Sequence, residues 1–283
     1  MEAAVQRSLE SWVAFLSHAE IPILKRTARD LVALHEDPDN ISAGGVAAII
    51  AIDPMMTVKL LRYLQHHKHF KQQHEVVEVE QALLMTGIEP LFRNVPLAPS
   101  VNDTLAGQMD ALVNLLRVVR RAHRASAYAL AWAVHLRDLR FEEVRIAALL
   151  HDLAEILMWC FASNEMLQID AARKKDRTLR SGTAQRQVLG FALNDLQLAL
   201  AREWELPKLL LTLMDEKCAK HTRVRIVLLA VDLARHSSFG WDDAGLPEDY
   251  RRIGDLLGMA PEKVMAMIGA GTSEETGRAS RHP

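Results

Sequence analysis

Residues 142–161 constrain the fold more than any other part of this chain. Val144, Ile146, Ala147, Leu149, Leu150, Leu153, Ile156, Leu157, Met158 and Trp159 cover every face of a helix there. A helix that is apolar all round belongs in a core. Nowhere does the chain offer the ~18 uncharged apolar residues that a membrane span needs. Yet His151 and Asp152 stand in the middle of that helix. An unpaired buried carboxylate is too costly to keep, so Asp152 demands a partner. Asp232, set within the apolar run 226–234, makes the same demand, and His123 lies on the apolar stripe of a long helix. Two imidazoles and two carboxylates can satisfy one another or a cation, and these side chains suit divalent transition metals. A core histidine bonded to a core aspartate is the plainer arrangement and needs no metal.

The rest of the pattern is helical too. Residues 22–35 carry Leu24, Ala28, Leu31 and Val32 at helical spacing before Asp37-Pro38-Asp39. Asn40 or Ser42 can cap a short helix reaching about Ile52, weakened by Gly44-Gly45. Asp53-Pro54 reads as an N-cap followed by proline at the first helical position. Residues 76–86 lead into a helix closed by Gly87, and Glu89-Pro90 opens another. Pro96 and Pro99 mark a lobe boundary, a connector with few packed apolar side chains. Beyond it, a helix over 108–137 aligns Leu112, Leu116, Val119, His123, Ala127, Leu130 and Val134 in one stripe. Further helices are expected near 184–188, 195–204, 207–217 and 222–235. The sequence holds no alternating strands, internal repeat or glycine-rich phosphate loop.

At 283 residues, 49% hydrophobic and 25% charged, this is an ordinary globular composition for one large or two small domains. The basic side chains number 34 and the acidic ones 36, a net charge of -2. That balance calls for no polyanionic partner. Cys160 and Cys218 show no close spacing, which fits a reducing compartment, and residues 1–7 lack a signal-peptide pattern. The expectation is a cytoplasmic protein.

Arg117, Arg120, Arg121 and Arg124 share one side of the long helix and form the candidate anion-binding set, although such a run is more often a solvated face. Arg173-Lys174-Lys175, with Arg177, Arg180 and Arg186, reads as a mobile connection and a second basic region. His66, His67, His69 and His74 read as a solvated turn, because Lys68 and Lys71 would repel a cation.

His123, His151-Asp152 and Asp232 together resemble the pattern of the HD superfamily, whose metal phosphohydrolases carry a His, a His-Asp pair and a distant Asp. A closer resemblance, over about residues 21–236, is to the HDOD family, an HD-related output domain of bacterial signalling proteins. Ile21-Pro22-Ile23-Leu24 resembles its opening proline motif, and residues 49–62 its helix–Asp-Pro–helix signature. Gln81-Ala82-Leu83-Leu84-Met85-Thr86-Gly87 resembles its Ala-Ile-x-x-Leu-Gly segment. Residues 148–155 resemble its Leu-Leu-His-Asp-Ile-Gly-Lys stretch, and Trp204-Glu205-Leu206-Pro207 its Trp-x-Leu-Pro turn. The helical pattern and the resemblance imply an all-α fold with two helical lobes, the C-terminal one HD-like. A lead spans 1–20, the N-terminal lobe 21–100, the HD-like lobe 101–240 and an extension 241–283, whose polar end from 271 is expected to be disordered.

Three departures bear on function. Glu155 stands where catalytic HD proteins often carry lysine, four residues after His151 and so on the same helical face. A carboxylate there repels phosphate. Asn194 stands where the pattern usually has His, and Met214-Asp215-Glu216-Lys217-Cys218 lacks the paired histidines often found after the Trp-x-Leu-Pro turn. The polar core cluster is therefore His123, His151, Asp152, Asp232 and Glu155, with no catalytic role assigned. The resemblance implies a non-catalytic regulatory module without a cofactor, acting through a signalling protein partner or a small ligand. The alternative is a metal-dependent phosphohydrolase acting on a nucleotide or cyclic nucleotide, with His123, His151, Asp152 and Asp232 holding one divalent ion. A nucleic-acid-binding regulator rests only on the basic stretches, and no membrane partner is expected.

Overall fold

The structure, a computed structural model, describes residues 7–270 except 38, 40, 68–74 and 177. His69, His74, Arg177 and the polar end from 271 lie outside the described residues. Among the described residues the fold is all-α. Its N-terminal helices are α1 (Leu9–His18), α2 (Lys25–His35), α3 (Ala43–Ile50), α4 (Pro54–His66), α5 (Val79–Thr86), α6 (Ile88–Asn94) and α7 (Val101–Thr104). Then come α8 (Met109–His135), α9 (Phe141–Leu150), α10 (Leu153–Phe161), α11 (Ser163–Lys175), α12 (Ser181–Leu189) and α13 (Leu193–Glu203). The chain continues through α14 (Lys208–Met214), α15 (Thr222–His236), α16 (Leu246–Leu257) and α17 (Pro261–Met267). Ile23 and Ser100 form one isolated parallel bridge.

Two compact units emerge. The first comprises Met1–Arg120 and Leu149–Thr212, the second Arg121–Ala148 and Leu213–Pro283. In the first, α1 and α10 pack on α13, α3 and α4 on α5, and α11 on α12; in the second, α16 packs on α15 and α17. No single helix among the described residues is long and apolar enough to cross a membrane; α9–α10 with α11 would qualify only as a pair bent by 113°.

Local chemistry explains the helix starts. Ser42 accepts a hydrogen bond from the Gly45 amide at 3.1 Å and caps α3. Asp53, fully buried, caps α4 by accepting from Met55 at 2.9 Å and Met56 at 3.1 Å, while Pro54 occupies the first turn. Its other oxygen accepts the Leu24 amide at 2.8 Å, which ties the α2 entry to the α4 entry. Gly87 ends α5 at φ 84°, a left-handed value that side chains disfavour.

Lys59 holds the same region from below. Its buried ammonium donates to Glu20 at 2.5 Å, to the Ile21 carbonyl at 3.1 Å and to the Pro96 carbonyl at 2.6 Å. Burial pushes its pKa down, and Glu20 opposes that shift. Nothing in the local pattern marks this lysine as buried.

Two expectations need correcting. The stretch 96–107 is not a bare connector. It lies inside the first unit, Ile23 and Pro99 share a backbone hydrogen bond of 3.0 Å, and Val101 and Leu105 are buried. The buried side of α8 is also displaced from the stripe read by hydrophobicity. Leu115, Val118, Ala122, Ala125, Ala129 and Trp132 are buried, whereas Leu116 and Val134 are 42% and 53% exposed. Close approach selects small side chains, so alanine outcompetes leucine for the inner face. Helices α1, α11, α16 and α17 lack counterparts in the sequence pattern.

Candidate functional site

The expected continuous helix over 142–161 breaks at His151-Asp152, and the break has an identifiable cause. In an unbroken helix the Ala154 amide would donate to the Leu150 carbonyl. Gln197, from α13, inserts between them: its Oε1 accepts from Ala154 N at 2.7 Å and its Nε2 donates to Leu150 O at 3.0 Å. Inserting a side chain into the backbone ladder is a recognised origin of sharp kinks. The freed turn presents His151 and Asp152 side by side, with His151 Nδ1 3.0 Å from Asp152 Oδ1. Both side chains are 9% exposed, and His151 Nε2 is buried without a hydrogen-bond partner.

The break also changes the meaning of Glu155. His151 lies in the break and Glu155 in α10, so the two do not belong to one continuous helix. Glu155 lies in the first turn of α10, where a carboxylate complements the helix dipole.

In the second unit, His123 is half-buried. Asp232 is not enclosed by apolar neighbours as its sequence context suggests. Its side chain is 31% exposed and faces Arg235 at 3.8 Å and Arg252 at 3.5 Å. Among the described residues, no three His, Cys, Asp or Glu side chains come together in a way that could hold a metal ion. His151 Nδ1 is thus directed at Asp152, and the Asp232 carboxylate at two arginines.

The arginine set is likewise divided by local bonding. Arg117 donates to Asn114 at 3.0 Å, and Arg117 and Arg120 are exposed. Arg124 is not available to an anion. It donates to the Ser237 carbonyl at 3.0 Å, to Ser237 Oγ at 2.9 Å and to the Tyr128 hydroxyl at 3.1 Å, and it stacks on Trp241 at 5.6 Å. Arg173, Lys174 and Lys175 form the last turn of α11, where cations complement the helix dipole, rather than a mobile connection. Lys174 is paired with Asp170 at 2.6 Å.

A titratable pair that sequence reading missed lies nearby in the second unit. His236 Nδ1 is 2.6 Å from Oδ2 of buried Asp249. That bond, reinforced by the charges of Asp249, Asp243 and Asp232, holds the imidazole above its ordinary pKa. A raised folded-state value favours the protonated folded form. The contribution is therefore complete below about pH 6.5 and lost as pH rises through the folded-state pKa. Urea midpoints are expected to fall from about pH 6 to about pH 8, and Asp249→Asn should flatten that slope. A slope equal in both proteins would remove this pair as its source.

With this geometry in place, comparison with known proteins becomes informative. The HDOD domain family matches residues 21–219. The chain belongs to the HDOD family. Within the HDOD match lie His151, Asp152, Gln197 and Trp204, whereas Asp232, α16 and α17 follow it. The MmoQ response regulator of Methylococcus capsulatus shares the fold at a TM-score of 0.65 and 16% identity, over 88% of this chain and 98% of its own. A virulence factor of Campylobacter jejuni aligns at a TM-score of 0.61 and 18% identity, over 89% and 92%. An HDOD domain protein of unknown function from Geobacter sulfurreducens aligns at 0.50 and 17% identity, over 94% and 95%. At these identities the likeness is one of fold. No curated protein matches the chain.

Trp204 illustrates how the HDOD turn is used. Its ring lies 4.8 Å under the Arg62 guanidinium, which donates to the Ser17 carbonyl at 2.9 Å. The Trp-x-Leu-Pro turn thereby anchors α4 and the end of α1 to α13 inside the first unit. Glu205 takes the strained φ of 50° that closes the turn.

Proposed function

We propose that this HDOD chain is a non-catalytic signal-transduction module that acts by binding a protein partner or a small ligand. The observation that carries the reading is the local closure of the His-Asp position. His151 is bonded to its neighbour Asp152, Gln197 satisfies the backbone groups on either side, and Asp232 is engaged by arginines. His151 Nδ1, the backbone groups on either side of the break and the Asp232 carboxylate are engaged within the protein, which supports the reading. The fold relative named as a response regulator supports the same reading.

A second reading, a one-metal phosphohydrolase, draws on the buried and unpartnered Nε2 of His151. Metal analysis and turnover separate the two. Protein purified with added manganese, iron or zinc is expected to show no hydrolysis of cyclic dinucleotides, nucleoside monophosphates or a generic phosphodiester above the level of Asp152→Ala. Glu155→Lys is expected to be equally inactive. Robust turnover that disappears in Asp152→Ala would replace the regulatory reading with the phosphohydrolase.

A further inference from the structure

The second unit carries a surface that the His-Asp position does not explain. Between the start of α16 and α17 lies an open groove of about 910 Å³, within the size range of binding sites. It lies beyond residue 219, outside the stretch matched by the HDOD family. Trp241, Tyr250, Pro247 and Met265 supply its apolar walls, and Asp242 and Asp243 supply its charge. No lysine, arginine or histidine is among the described residues that line it. Met265 in its lining is 37% exposed, and Phe239 and Met267, close to lining residues in sequence, are 88% and 42% exposed. An apolar groove rimmed by polar residues marks an interaction surface.

The groove is built rather than incidental. Arg124 fixes Trp241 from outside, and is itself held by three hydrogen bonds. Asp243 Oδ1 accepts from the Gly245 amide at 2.8 Å, which sets the acidic corner. Methionine walls adapt to varied apolar anchors, and an aromatic face with adjacent carboxylates attracts cations. Anionic lipid and nucleic acid are both disfavoured by Asp242 and Asp243, which would meet phosphates with like charge.

We infer that this groove docks a basic amphipathic segment of a partner protein, with an apolar side chain seated between Trp241 and Met265 and lysine or arginine against Asp242 and Asp243. Charge complementarity selects this occupant, and the mode is that of an amphipathic helix laid in an apolar groove. The inference rests on the regulatory reading for its biological sense, but neither His151 nor Asp152 is among the residues that line the groove.

The test uses the full chain and a helical leucine–lysine peptide, with a leucine–glutamate peptide of equal length as control. Trp241 is the partly exposed member of five tryptophans, the other four being buried, so a change in emission reports on the groove. The basic peptide is expected to bind and shift the emission, and the acidic one to do neither. Asp242→Asn with Asp243→Asn should weaken binding about twentyfold at low salt, with both asparagines retaining acceptors for the local turn. Phe239→Ser, at a position too exposed to matter for folding, should weaken it about tenfold. Equal binding of both peptides, unchanged affinity in these variants, or preferential binding to anionic phospholipid vesicles overturns the inference. Loss of the groove result with no phosphoester turnover leaves the regulatory reading standing. Turnover with the groove result intact removes that reading and keeps the docking surface.

Discussion

Asp53→Ala is expected to lose about 3–5 kcal/mol of folding stability, enough to consume much of the roughly 5–15 kcal/mol that holds a native protein together. The reasoning counts donors. Asp53 is fully buried and accepts from the amides of Leu24, Met55 and Met56, with a Thr27 side-chain bond in addition. Losing an N-cap alone costs about 1–2 kcal/mol. The Leu24 amide, far away in sequence, is stranded as well, and a buried unsatisfied donor costs about 1–3 kcal/mol. Asp53→Asn retains one acceptor but turns an N–H toward a donor, so its cost should fall between wild type and alanine. Urea unfolding measures both through the midpoint at unchanged slope. An alanine variant within about 1 kcal/mol of wild type would mean that water reaches these amides.

Gln197→Leu is the second large effect, expected at about 2–4 kcal/mol. Leucine fills most of the volume but offers neither an acceptor for Ala154 N nor a donor for Leu150 O. Two buried backbone groups then lose their partners at about 1–3 kcal/mol each, unless α9 and α10 rejoin into one helix. Amide hydrogen exchange distinguishes the outcomes. Faster exchange at Ala154 with reduced stability is the expected result. Slow exchange at Ala154 with unchanged stability would show that the helix had healed and that Gln197 does not maintain the break.

Both residues show where sequence reading succeeds and where it stops. Asp53-Pro54 was legible because an N-cap and a first-turn proline act within three residues. The break at His151-Asp152 was not, because the side chain that causes it comes from 43 positions beyond Ala154. The core character of 142–161 was legible from its apolarity, and its buried side chains accord with that. The inner face of α8 was misjudged, since hydrophobicity ranks Leu116 above Ala122 while close packing ranks them the other way. Asp232 resembled a core acid because its neighbours in sequence are buried. Its partner Arg252 belongs to another helix, and no local pattern announces it. Arg124 counted as one of four surface arginines until Ser237 and Trp241 claimed it. The HDOD resemblance is carried by local motifs, and the family match over residues 21–219 agrees with it.

One backbone contact in the second unit bears on how a partner would come and go. A Cβ placed on Gly254 would lie 2.5 Å from the Met259 carbonyl oxygen, so α16 and the turn before α17 meet main chain to main chain. The Met259 amide also donates to the Gly254 carbonyl at 3.0 Å. Contacts of this kind have no rotamers to relax, so the wall bearing Met265 is held at a set distance from the wall bearing Tyr250. A cleft rigid before its guest arrives has little ordering left to do, and variation in its walls is felt mainly in how long the guest stays. Changes at Met265 should therefore shorten residence time far more than they slow arrival.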